Sequence, residues 1–173
     1  MSNAAQISVK NPSPPSLDHL FDVKFQFKPD LEPVVTSDDR DGELIGNSEG
    51  RVDGEHIKGT IQVSMYAANC ALLLVRAGVE PEPGQHICKT NPGGVIETDD
   101  GARIEFDARG YGYRGPDPAH PHLWSITMGV QFGTDDPRYR WLNTTLGVWH
   151  GEFNEQTGQA YHRVFSAMMG SFT

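Results

Sequence analysis

The sequence predicts an all-β domain, a single antiparallel β-barrel of about eight or nine strands. Three observations predict it. Apolar and polar residues alternate over short runs, as half-buried strands require. The 173 residues include 19 Gly and 12 Pro, which suits many strands joined by tight turns. No long stretch carries a helical period, apart from one short segment near 136–142. Closure into a barrel removes the sheet edges that such strands would otherwise expose.

The elements follow in order. Residues 1–16 include NPSPPS and read as a flexible, polar, Pro-rich arm, with the domain spanning 17–173. In LFDVKFQFK, Phe21, Val23, Phe25 and Phe27 alternate with Asp22, Lys24 and Gln26, a half-buried strand. The acidic, turn-rich stretch PDLEPVVTSDDRDGELIGNSEG reads as a loop at the barrel mouth. Two short strands follow, Gly50 to Asp53 and Ile57 to Ser64, joined across Gly54. The run Ala67 to Ala77 reads as a strand, since Gly78 and Pro81 follow early, although its Leu triplet also suits a short helix. GVEPEPGQHICKTNPGG reads as a loop.

The strongest hairpin has Val95 to Thr98 and Ala102 to Ala108 as arms around Asp99-Asp100-Gly101, where Gly can adopt positive φ. Leu123 to Phe132 alternates throughout. Asp136-Pro137 opens the short helical segment, with Asp as a cap and Pro in the first turn. Leu146 to Phe153 and Gln159 to Phe165 make the last hairpin.

The formal charge is −9, and no Lys/Arg stripe offers phosphate neutralisation. Nucleic acid and anionic membranes are disfavoured as partners. No apolar run approaches the roughly 20 residues of a membrane span, and the first residues lack a secretory apolar core, so a cytoplasmic location is expected. In that compartment Cys70 and Cys88 are expected as thiols rather than as a disulfide.

Candidate chemistry is sparse. His120-Pro121-His122 has the look of a metal pair, but no carboxylate follows and the pair sits in a Pro-rich loop, so no metal is expected. Asp99-Asp100 and Asp135-Asp136 occupy turn and cap positions. There is no nucleophile elbow, no phosphate-cradling Gly loop and no dinucleotide fingerprint, and no cofactor is expected. What remains are polar and aromatic groups on strands. Glu49, His150 and Tyr161 are the candidate acid/base groups. Arg51, Arg109, Tyr111, Trp141 and Asn143 are the candidate ligand contacts, the last four expected to rim one cavity. Glu49 comes first, because it sits beside Gly50 at a strand start and shares parity with Arg51.

Three segments carry a family resemblance: GRVDGEHIKG from Gly50 to Gly59, ETDDGARI from Glu97 to Ile104, and DPRYRWLN from Asp136 to Asn143. Over about residues 17–166 the chain resembles the bacterial and fungal family catalogued as domain of unknown function 3237. It departs from that family at SMYAANCALLLV, where members often carry Gly-Gly-x-Asp-Trp. The resemblance implies a small barrel similar to those of allene oxide cyclase and dirigent proteins, or to lipocalins. It implies a small aromatic or apolar metabolite as partner.

Three functions follow as expectations. The first is a cofactor-free isomerase, cyclase or lyase acting by acid/base chemistry on a small aromatic or polyketide-like molecule in the barrel. The second is a non-catalytic barrel that binds such a ligand. The third is a structural or homo-oligomer-forming protein, which a filled barrel with no cavity would mark. A buried ionisable group with a perturbed pKa marks the enzyme, and an apolar cavity with at most one polar anchor marks the carrier.

Overall fold

The computed structural model describes residues 16–27, 43–69, 86–115 and 117–168. Nine strands are present among them: β1 (Ser16–Phe27), β2 (Glu43–Asp53), β3 (Lys58–Asn69), β4 (His86–Thr90), β5 (Gly93–Thr98), β6 (Arg103–Arg114), β7 (Leu123–Gly133), β8 (Gly147–Asn154) and β9 (Gln159–Met168). A five-residue 3-10 turn, Arg140–Thr144, is the one helical element among the described residues.

Every pairing is antiparallel. The ring runs β1-β2-β3-β5-β6-β7-β8-β9 and returns to β1, an eight-stranded closed barrel. The ninth strand, β4, is additional to that ring and also bridges β3 and β6. It is collinear with β5: Thr90 and Gly93 face Ala67 and Ser64 on β3, and Gly110 and Asp107 on β6. Asn91-Pro92 interrupts the ladder, where proline has no N–H to give. Its carbonyl still accepts from Ala108 N–H at 2.8 Å.

Alternation decides what fills the barrel. Phe21, Val23 and Phe25 of β1 are buried, as are Ile104, Phe106 and Ala108 of β6 and Ile126, Met128, Val130 and Phe132 of β7. Each fully buried Ile, Val or Phe contributes roughly 1.5–3 kcal/mol over its exposed state. One end of the barrel is closed. Leu142 of the 3-10 turn, Tyr139, Ile57 and Ala102 all join the core there. Asp100 fastens this end: it accepts from Thr98 Oγ1 at 2.5 Å, Tyr139 Oη at 3.0 Å and Arg138 at 2.9 Å. Arg138 also grips Asp136 at 2.7 Å. The Arg138 side chain and its backbone N–H hold the Asp136 carboxyl down at about 2.

Several expectations need correction. The stretch read as a loop before Gly50 is strand from Glu43 onward, because β2 pairs with β3 over eleven positions, from Glu43 opposite Ala68 to Asp53 opposite Lys58. Part of the segment read as loop before the hairpin is likewise strand, β4. The helical segment falls at 140–144, after a turn that Tyr139 N–H closes on the Asp136 carbonyl at 3.1 Å. β3 extends the strand reading of Ala67 as far as Asn69, and residues 70–77 lie outside the described residues, as do residues 1–15, Val34, Val35 and Cys70. The hairpin at Asp99–Gly101 is present, with Gly101 at φ 88°.

Candidate functional site

Strand parity separates the polar residues into two sets. On β9, Ala160, His162 and Val164 point inward, while Tyr161 and Arg163 point outward. On β8, Gly147, Trp149 and Phe153 point inward and His150 and Glu152 outward. On β2, Ser48 and Val52 are inside, with Glu49 and Arg51 outside.

The inner set makes an unusual site. His162 is 1% exposed, and neither of its ring nitrogens has a hydrogen-bond partner among the described residues. Trp149 Nε1 and Ser48 Oγ are also buried without partners among the described residues. His162 stacks on Phe25 at 5.4 Å between centroids and meets Trp149 edge to face at 5.8 Å. Gly151 lets β8 close upon this ring. A Cβ there would lie 2.6 Å from His162 Cδ2 and 2.2 Å from the Tyr161 carbonyl oxygen. Burial, with His150 as a smaller cause, drives the imidazole pKa down to about 3. The ring is therefore neutral at physiological pH, with one nitrogen a donor and the other an acceptor.

A cavity of about 10 Å³ lies beside these groups, lined by Phe25, Phe27, Met65, Met128, Trp149, Phe153 and His162 among others. That volume suits about one water molecule. Pockets for small molecules run to about 300–1,000 Å³, so a ligand of that class enters only if the lining moves. Met65 and Met128 are unbranched and adaptable. The cavity lies toward the end opposite the 3-10 turn, near the last residues of β1, β3 and β8.

The residues singled out from sequence all project from the outer surface. Glu49, Arg51 and Tyr161 do come together. They line an open outer groove of about 590 Å³, together with Lys24 and Glu152. Arg51 pairs with Asp99 through two bonds of 3.1 and 3.0 Å. Tyr161 donates to Asp22 at 3.0 Å, which raises the phenol pKa, and Lys24 Nζ sits 5.5 Å from its ring. His150 is exposed and meets Thr127 Oγ1 at 2.8 Å. Arg109, 77% exposed, sits 3.6 Å from Asp107, and Tyr111 is 58% exposed. Trp141 borders a separate open hollow with His19 and His56. Asn143 ties down a loop, donating to the Thr134 carbonyl at 2.9 Å and accepting from its N–H at 2.8 Å. Among the described residues, Arg109, Tyr111, Trp141 and Asn143 share no cavity, because the first two stand on the outer face of β6 while the others sit at the closed end.

His120 and His122 form no metal cluster among the described residues. His122 and Trp124 instead contact the Glu155 carboxylate at 3.3 and 2.7 Å, with Arg114 beside them.

Comparison with known proteins agrees with the architecture. Residues 15–166 match the family described as protein of unknown function (DUF3237). The chain belongs to that family. No curated protein matches. Among solved structures, a β-barrel-like protein from Acinetobacter baumannii AYE is similar, with a TM-score of 0.71 and 20% identity, covering 91% of this chain and 99% of that one. A protein of unknown function from Clostridium acetobutylicum matches with a TM-score of 0.65 and 15% identity, covering 91% and 99%. An enzyme from Penicillium herquei matches with a TM-score of 0.61 and 17% identity, covering 92% and 98%. Identities this low show the shared fold alone.

Proposed function

We propose that this family member is an isomerase, cyclase or lyase that works without a cofactor on a small aromatic or polyketide-like molecule, and that the reaction takes place inside the barrel at His162. One observation carries the reading. An imidazole and an indole N–H lie side by side in an apolar interior, and neither has a partner among the described residues. Unpaired buried polar groups cost about 1–3 kcal/mol each, and such a cost persists where function uses the groups. The similarity in fold to a fungal enzyme adds an analogy of fold only.

The chemistry follows from the donors. The unprotonated nitrogen of His162 takes a proton from the substrate, and the Trp149 N–H stabilises the oxygen on which negative charge develops. Returning that proton at a different position completes an isomerisation, with no net change of atoms or electrons. An imidazole whose pKa is about 3 is a weak base in the empty site. The forming imidazolium and enolate stabilise each other in a medium of low dielectric, which offsets that weakness.

The weak basicity also favours a second reading, a binding barrel without catalysis. Turnover of enolisable aromatic ketones, followed by mass spectrometry and by exchange of the substrate hydrogen with deuterated water, separates the two. In the enzyme, His162→Gln lowers exchange by about 10²-fold or more. Exchange in the outer groove would instead require Glu49 or Tyr161, and Glu49→Gln would carry the loss. Ligand binding with no exchange above the solvent rate leaves the carrier.

A further inference from the structure

The interior also dictates the charge and the hydrogen-bonding pattern of what it holds. This argument rests on the reading of the interior as the ligand site. Among the described residues no Lys, Arg, Asp or Glu is buried; the buried polar side chains are Ser48, Thr90, Thr98, His162 and Ser166. The described interior has no counter-charge for an ionic ligand, and an unpaired buried ion is far costlier than an unpaired dipole. Electrostatics alone would exclude carboxylates, phosphates and amines.

The unpartnered atoms then set the rest. Trp149 Nε1 offers one donor. Neutral His162 offers one donor and one acceptor from a ring that cannot tumble, since Phe25 stacks on one face at 5.4 Å. A hydroxyl oxygen can accept from one N–H while its proton goes to the bare imidazole nitrogen. The remaining N–H calls for a second acceptor, such as a carbonyl. The flat lining of Phe25, Phe27, Trp149 and Phe153 suits a planar apolar body.

We infer that the interior site selects uncharged phenols or enols that also carry a carbonyl, and discriminates against carboxylates of the same shape.

Three probes on one ring test this with the full chain at neutral pH: meta-hydroxyacetophenone, acetophenone and meta-hydroxybenzoate. Binding is read from the indole N–H resonance of Trp149, assigned by its loss in Trp149→Phe. The hydroxyketone should bind most tightly. Acetophenone, which leaves the imidazole acceptor unpaired, should bind about 10-fold weaker or more, and the carboxylate weaker again. In His162→Leu the hydroxyketone and acetophenone should bind alike, and Trp149→Phe should show by calorimetry a reduced affinity for both. Tighter or equal binding of the carboxylate overturns this inference while leaving the interior as the site. Binding of the probes without any shift at Trp149, or no binding at all, overturns the interior reading itself.

Discussion

Replacing His162 with leucine should stabilise the protein, by an amount that grows as the pH falls. The side chain is 1% exposed, and both nitrogens lack partners among the described residues. Removing that unpaired polar burial returns about 1–3 kcal/mol. Swapping shape within a packed barrel takes back up to about 1.5 kcal/mol. At pH 7.5 the variant should thus lie between about 0.5 kcal/mol less stable and about 3 kcal/mol more stable. The proton balance adds to this. The ring falls from an ordinary value of 6.5 to about 3 on folding, chiefly through burial. Between those values the unfolded chain binds a proton that the folded chain refuses. Wild-type stability therefore declines as pH falls below 6.5, by up to about 1.4 kcal/mol per pH unit, and levels off near pH 3. By pH 4.5 the loss amounts to about 3 kcal/mol, and the His162→Leu variant does not share it. Urea unfolding of both proteins at several pH values, followed by circular dichroism, measures the gap. All other titrating groups cancel in the difference. Parallel stability curves from pH 7.5 to 4.5 would refute the claim that the ring is held neutral. A variant less stable by more than about 2 kcal/mol at pH 7.5 would show that the nitrogens are satisfied in solution.

Other outcomes follow from the same geometry. Gly151→Ala should cost about 1–3 kcal/mol in urea unfolding, because its Cβ would collide with β9 backbone and with the His162 ring; an unchanged midpoint would mean that the two strands separate freely. Trp149→Phe should retain the fold, as judged by circular dichroism, and lower turnover by about 10²-fold if its N–H stabilises the developing oxyanion. Asp100→Ala should lower the thermal midpoint, since Thr98, Tyr139 and Arg138 all lose a common acceptor at the closed end. Because Asp100 and Asp136 ionise below their ordinary 3.8 in the folded protein, their contribution is present above that pH and fades as acid takes it through their lowered values.

The barrel was legible because alternation survives even where composition is poor. β1, β6, β7 and the last hairpin each carry four or so apolar residues at period two, and the turn at Asp99–Gly101 marks its hairpin by residue type. The first half of β2 and all of β4 were not legible, because ELIGNSE and HICKT lack that alternation and their pairing depends on neighbours distant in sequence. The proposed interior site was less legible for a different reason. Glu49, His150 and Tyr161 attract attention as acid/base types, yet each shares parity with charged neighbours: Arg51 and Asp53, Glu152, and Arg163. His162 shares parity with Ala160 and Val164, and Trp149 with Gly147, Gly151 and Phe153. Matching each polar residue to the character of its i±2 neighbours would have pointed inward to His162. No pattern in the chain reveals that its nitrogens lack partners, since that depends on what β1, β7 and β8 bring around it.

The most direct test of the interior site is a nitrogen-15 spectrum of the His162 imidazole and the Trp149 indole, recorded with and without meta-hydroxyacetophenone. The account predicts a ring that stays neutral down to about pH 4, and a simultaneous shift of both side chains when the ketone binds. A ring that protonates near its ordinary 6.5, or a ketone that binds without shifting either side chain, would contradict it.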